Sequence, residues 1–265
     1  MLRRSFLCVA VLCAVFVVLA PAGAQALTIV SWDDSNQVGG DLYTAGTGNL
    51  EYSEFEQALL ARGHSVLPGI SELTAANLSG VDAFFHGKSY HVLTAAEQAV
   101  IASFIGAGGR AIVESNSYSS EQDSANSLLI ALGLGSPVSG GDQGGQSSTA
   151  GLFASVATET TMGLLGDLRG ATFGSSLVAT VDASLGTAVG ANGTYTCMVE
   201  FAYGSGKVLA CGDPYGFNLF YTGIYANDNN RKAYLNFLEG EIVPEPSSVA
   251  LLGLGLLGLL RKRRK

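Results

Sequence analysis

The sequence predicts an α/β domain on a mostly parallel sheet covered by helices on both faces. Three observations carry this. Short β-rich apolar runs alternate with helical patterns from Leu27 to about Gly135, and the helical stretches carry their own start and stop residues. The chain is also 48% hydrophobic over 265 residues, enough to fill a core on two sides of a sheet.

Leu27 to Trp32 is an apolar run suited to a first strand. From Leu50 to Arg62, Phe55, Leu59 and Leu60 recur at helical spacing, and Gly63 supplies a stop. Short strands are expected at Ser65 to Leu67 and Val81 to Phe85. Thr94-Ala95-Ala96-Glu97 is a capping box, in which the threonine and glutamate side chains each satisfy a backbone N–H that the helix start leaves unpaired. The helix it opens turns Val100, Ile101, Phe104 and Ile105 inward and closes at Gly106-Ala107-Gly108-Gly109. Arg110 to Glu114 makes a fourth strand and Asp123 to Leu132 a further helix. This βαβ rhythm predicts that Leu27 to Trp32, Val81 to Phe85 and Arg110 to Glu114 lie side by side and parallel.

The second half is less regular. Ser136 to Ala150 is Gly/Ser-rich and reads as a surface loop, and Gly151 to Gly193 carries short strand-like pieces such as Ser176 to Val181. Thr194 to Tyr203 and Lys207 to Cys211 flank Gly204-Ser205-Gly206, which predicts an extra β-hairpin. Asp228 to Leu238 gives a last helix with Ala233, Tyr234, Phe237 and Leu238 on one side.

Both ends of the chain read as addresses. Arg3 and Arg4, an apolar run from Phe6 to Leu19, and Ala24-Gln25-Ala26 have the build of a secretory signal peptide over residues 1–26, so the mature chain is expected to begin at Leu27. Cys13 comes after the bulky Leu12, which argues against a lipoprotein cysteine. At the other end, Pro244-Glu245-Pro246 is stiff and extended, because each proline fixes φ and biases its predecessor away from the helix. Next comes a transmembrane segment over residues 247–260, apolar from Val249 to Leu260, and then Arg261, Lys262, Arg263, Arg264 and Lys265, which would stay cytoplasmic by the positive-inside rule. Twelve apolar residues are short of the roughly 20 a helix needs to cross a bilayer. Residues 243–265 closely resemble the PEP-CTERM sorting signal. That resemblance implies an exosortase as partner, passage through the inner membrane of a Gram-negative bacterium, and delivery to the cell surface or an exopolysaccharide-rich biofilm matrix.

Without the two signals, seven basic residues remain against 21 or 22 acids, a net charge near −14. Nucleic acid is excluded as a partner, since phosphate binding needs a basic patch. Of the cysteines only Cys197 and Cys211 survive processing. In an exported protein they suggest a cross-strand disulfide; two small buried side chains are the other reading. A hairpin centred on Gly204 would set them opposite each other, and one centred on Ser205 would leave them diagonal.

Residues 27–240 resemble the class I glutamine amidotransferase-like superfamily. The residues that carry this are the Val81 to Phe85 strand with Leu93 to Glu97, the Phe104 to Gly109 helix end running into Arg110 to Val113, and Gly204 to Ala210 with Gly212-Asp213 ahead of a helix at Asn229-Asn230. The resemblance implies a flavodoxin-like three-layer sandwich. It also implies a nucleophilic cysteine in a Gly-x-Cys-x-Gly turn after a central strand. Here that position reads Glu114-Ser115-Asn116-Ser117, without the cysteine or either glycine, so the family's amidase chemistry is not expected.

Open α/β sheets bind ligands at the carboxyl ends of their strands. Those positions hold Asp33 and Asp34, then His86, then Glu114, Ser115 and Ser117, and finally Asp213. Asp33, Asp34, His86, Glu114 and Asp213 are therefore the candidate ligand-binding residues. Two chemistries are open to this rim: Ser115 or Ser117 as a nucleophile with His86 as base, or Glu114 paired with another carboxylate as in glycoside hydrolysis. Against both stands the plainer reading of polar loop residues on an acidic secreted surface. His64 and His91 sit beside helix ends, where solvated imidazoles are common. Tyr215, Phe217, Phe220, Tyr221 and Tyr225 suggest a further aromatic surface suited to sugars. No ligand-spaced run points to a metal, and no cofactor is expected.

Overall fold

The computed structural model describes residues 25–33, 35–36, 42, 52–140, 149–175, 178–212 and 228–240. The candidates Asp34 and Asp213, the aromatic residues 215–225, and the sorting signal with Pro244, Glu245, Pro246 and Arg261 to Lys265 lie outside the described residues, as do residues 1–24 of the signal segment. Among the described residues no helix is long and apolar enough to cross a membrane.

Among the described residues a nine-stranded mixed sheet forms the middle layer, with strand order β2-β1-β3-β4-β13-β12-β11-β6-β9. Its first half is parallel: β1 (Thr28–Ser31) lies between β2 (Ser65–Val66) and β3 (Ala83–Gly87), and β4 (Arg110–Glu114) joins β3 to β13 (Gly206–Cys211). The three early runs are neighbours and parallel, as their βαβ rhythm requires. The second half is antiparallel. β12 (Tyr195–Tyr203) pairs antiparallel with β13, and β11 (Thr187–Asn192), β6 (Thr149–Phe153) and β9 (Thr172–Ser175) extend the sheet outward. The expected hairpin is therefore an integral part of the sheet, and the sheet is more mixed than the sequence suggests. Two small pairs, β5 (Val138–Ser139) with β10 (Thr180–Val181) and β7 (Met162–Gly163) with β8 (Gly166–Asp167), decorate it.

The pleat sends alternate side chains to opposite faces, and each face has its own core. On one, Ile29, Phe85, Ile112 and Leu209 pack beneath α1 (Ser53–Ala61) and α4 (Asp228–Glu239), which contribute Phe55, Leu59, Tyr234 and Phe237. On the other, Val30, Phe84, Val113 and Val208 pack beneath α2 (Ala95–Gly106) and α3 (Ser119–Ala131), which contribute Ile101, Ile105, Leu128 and Leu129. Burying each such side chain stabilises the fold by roughly 1.5–3 kcal/mol. The capping box of α2 forms in full, with Thr94 accepting from the Glu97 amide and Glu97 accepting from the Thr94 amide.

Two local devices hold the sheet. Gly206 starts β13 under the end of α2, where a Cβ would come within 2.1 Å of the Ile105 carbonyl oxygen and 2.2 Å of that of Gly109, so no side chain fits. At the other edge Asn230 accepts from the Gly174 amide at 2.9 Å and donates to the Gly174 carbonyl at 2.9 Å. The asparagine thus pairs part of the exposed edge of β9 as a further strand would, which blunts an edge-to-edge pairing site.

The hairpin register corrects the disulfide expectation. Tyr203 faces Gly206 across the turn and Met198 faces Cys211, so the hairpin is centred between Gly204 and Ser205 and the cysteines are one residue out of step. Cys197 and Cys211 are both buried thiols rather than a bridge.

Candidate functional site

Strand order reverses between β1 and β3, the place where doubly wound sheets open a crevice at their strand ends. The loops leaving these strands are tied together. Asp33 caps its own turn by accepting from the amide and hydroxyl of Ser35. The Asn36 carbonyl accepts from the Ser89 hydroxyl at 2.7 Å and the Tyr90 amide at 3.2 Å. After β4, Asn116 accepts from the Tyr118 amide at 2.7 Å, an Asx turn that sets Tyr118 at the head of α3. Asn116 is fully buried, and among the described residues its Nδ2 has no hydrogen-bond partner.

This architecture presents two tyrosines on one rim. Tyr90 is 54% and Tyr118 52% exposed, both unusual for residues of this size beside a packed sheet. They lie close enough that, after burial itself, Glu121 and Tyr118 raise the Tyr90 phenol above its ordinary range. Sequence reasoning missed both. The available signal was an aromatic residue three to four positions beyond the ends of β3 and β4, on the rim where ligands gather.

His86, the penultimate residue of β3, lies on the α3 side of the sheet and is sealed from water. Its Nδ1 lies 3.0 Å from the Gly87 carbonyl and its Nε2 3.2 Å from the Ser124 hydroxyl, which itself donates to the His91 carbonyl at 2.6 Å. Burial above all lowers its pKa from 6.5 to about 4, so the imidazole is neutral at physiological pH. Ser115 donates its hydroxyl weakly to the Asn116 carbonyl at 3.4 Å and its amide to the Cys211 carbonyl at 2.8 Å. Neither Ser115 nor the half-buried Ser117 hydrogen-bonds His86 among the described residues, so the expected nucleophile and base are not brought together; the hydroxyl that His86 meets is that of Ser124, which is buried and donates to the His91 carbonyl.

Glu114 ends β4 on the opposite face and is also fully buried. The Tyr52 hydroxyl donates to Oε2 and the Tyr234 hydroxyl to Oε1, each at 2.8 Å. The Lys88 amide in turn donates to the Tyr52 oxygen at 3.3 Å. Burial first, then the neighbouring Cys211 and Glu114, holds the Tyr234 phenol well above its ordinary range, so it remains a donor. Asp33 and Glu114 thus occupy different surroundings: one carboxylate caps a surface turn, the other is enclosed by two phenols. His91 supports the α2 capping box through Glu97, whose oxygens lie 3.0 and 3.1 Å from its Nε2. Among the described residues no group of three or more His, Cys, Asp or Glu side chains gathers where a metal would sit.

Residues 243–265 match the PEP-CTERM protein-sorting motif. The motif indicates an exported protein, held by a C-terminal membrane anchor until an exosortase processes it. No curated protein matches the chain. Among solved structures, the fold is similar to the mmIFT52 N-terminal domain, with a TM-score of 0.60 and 18% identity over 82% of this chain and 100% of that one. It is similar too to cytoplasmic protein STM3548 from Salmonella typhimurium, with a TM-score of 0.55 and 12% identity over 80% of this chain and 98% of that one. A beta-galactosidase from Rahnella sp. R3 shares the fold at a TM-score of 0.52 and 14% identity, with 84% of this chain covering 33% of the enzyme. At these identities the likeness is one of fold alone. These neighbours do not support the resemblance to glutamine amidotransferases, and the strand end where that family's nucleophile would stand is taken up by the enclosed Glu114 and the backbone-bonded Ser115.

Proposed function

We propose that this chain is an exported, exosortase-processed surface or matrix protein whose α/β domain binds a neutral exopolysaccharide at its strand-end rim without catalysing a reaction. Export and processing rest on the motif at residues 243–265. The observation that carries the binding reading is the exposed pair Tyr90 and Tyr118 on loops leaving adjacent strands. Tyrosine faces pack against the C–H faces of sugars while their hydroxyls remain free to hydrogen-bond, and the half-buried Gln122, one helical turn after Tyr118, supplies a polar group beside them. A mature net charge near −14 repels acidic polymers, which favours a neutral glycan. The rival reading, a secreted hydrolase, is less favoured because among the described residues His86 meets neither Ser115 nor Ser117, and the hydroxyl it does meet, that of Ser124, is buried with it.

Co-sedimentation with exopolysaccharide from the host tests the binding reading. Replacing Tyr90 and Tyr118 together by alanine is expected to weaken retention about tenfold, equivalent to about 1.4 kcal/mol, with unchanged folding. Equal retention of the wild type and the double variant would remove the aromatic rim as a binding surface.

A further inference from the structure

A charged cluster lies at the opposite end of the sheet, where β1 begins. The Leu27 amide donates to Nδ1 of His64 at 3.2 Å. Since Nδ1 accepts, Nε2 carries the imidazole proton and faces Oε1 of Glu239 at 3.3 Å. Arg62 grips the same carboxylate with two parallel bonds, from Nε to Oε1 and, at 2.6 Å, from an Nη to Oε2. The side chains of His64 and Glu239 are fully buried. Burial pushes the Glu239 carboxyl up, but the hydrogen bonds from His64 and Arg62 outweigh it and hold it below its ordinary range.

Leu27 is fixed independently of the residues before it. Its carbonyl accepts from the Ser65 amide at 2.8 Å, its side chain packs on the core, and the next amide, of Thr28, donates to Asp82 at 2.8 Å. Gln25 and Ala26, by contrast, are exposed. Hydrolysis of the Ala26–Leu27 bond by a signal peptidase would add the hydroxyl of water to the Ala26 carbonyl carbon and its proton to the Leu27 nitrogen. That nitrogen takes a further proton from solvent at neutral pH.

We propose that His64 and Glu239, the latter held in place by Arg62, form a binding site for the α-ammonium group that maturation creates at Leu27. The inference rests on the export reading above. One proton of the new ammonium keeps the bond to His64 Nδ1, and the carboxylates of Glu239 and Asp82 favour its charge while Arg62 opposes it. Glu239 ends α4 only four residues before Val243, where the sorting motif begins. Seating the new N terminus therefore ties it, through His64, to the end of the helix that precedes the sorting motif.

The test compares two forms of the chain in detergent, Leu27 to Lys265 and the same chain preceded by Ala26. At pH 7 the form beginning at Leu27 is expected to melt about 3 °C higher, because a charged hydrogen bond replaces a neutral one. Its α-amine is expected to react with an amine-acylating probe about tenfold more slowly than in His64→Gln or Glu239→Gln, the factor that corresponds to a one-unit rise in amine pKa. A raised folded-state pKa stabilises fully below the unfolded value of about 7.7–8.0, and the advantage fades as pH rises through the folded value. The melting difference should therefore vanish by pH 10. Equal melting and equal labelling of wild type and variants would overturn the proposal. N-terminal sequencing of the exported protein separately decides the processing reading, since a start other than Leu27 sinks that reading while the paired forms still report whether the cluster holds an amine.

Discussion

Glu114→Ala is expected to destabilise the domain by about 3 kcal/mol. The change strips an acceptor from two buried hydroxyls, those of Tyr52 and Tyr234, and each such loss costs about 1–3 kcal/mol. It also opens a cavity where a fully buried side chain stood. Relief of the carboxylate's desolvation works in the opposite direction, which keeps the net value below the sum of those costs. Glu114→Gln retains an acceptor oxygen and should lose about half as much. Equilibrium unfolding in urea measures both. A Glu114→Ala variant within about 0.5 kcal/mol of wild type would show that the two phenols do not depend on this carboxylate.

Acid should unfold the domain earlier than its carboxylates alone require, because of His86. Its folded-state pKa of about 4 lies below the ordinary 6.5, so between those values the unfolded chain binds a proton that the folded chain refuses. Stability is full above pH 6.5 and falls as pH drops toward 4, by about 3 kcal/mol in all at 1.36 kcal/mol per unit. Glu97 and Glu239 contribute separately. Their pKa values are lowered by hydrogen bonds that outweigh burial, so their stabilisation is present above the ordinary carboxylate value and is lost as pH falls through the lowered one. The window above pH 4.5 thus belongs mainly to His86. In His86→Asn the slope of stability against pH between 6.5 and 4.5 should flatten, and an unchanged slope would assign it to another group.

The parallel half of the sheet was legible because its signals are local and mutually consistent. Val81 to Phe85 and Arg110 to Glu114 are short apolar runs bounded by polar or glycine residues, and the helix between them announces its start with Thr94 and Glu97. The helix over Ser119–Ala131 was expected only from Asp123, because its first turn is polar and Tyr118 gives no side-chain cap. Beyond the hairpin of β12 and β13, the antiparallel half was not legible. β6, β9 and β11 are rich in Gly, Ala and Thr, and their cohesion comes from pairing across the sheet and from Asn230, neither of which leaves a periodic mark in the chain.

The rim divides in the same way. Its polar residues are legible because each sits directly after a strand that the apolar pattern marks. Their roles are not, since the pleat and a bulge between Phe85 and Gly87 decide that His86 faces Ser124 while Glu114 faces Tyr52 and Tyr234 on the other side. Tyr52 and Tyr234 lie far from Glu114 in sequence and nothing in their local pattern links them. Tyr90 and Tyr118 were overlooked because the cluster over residues 215–225 offered more aromatic rings in a shorter span.

That this is an exported protein sorted by its own C terminus is tested most directly by intact-mass spectrometry of the chain from its native host and from a strain lacking exosortase. The wild-type strain should yield a chain shortened within residues 243–265, and the deletion strain should yield one that retains Arg261 to Lys265. The same unshortened C terminus in both strains would contradict the account.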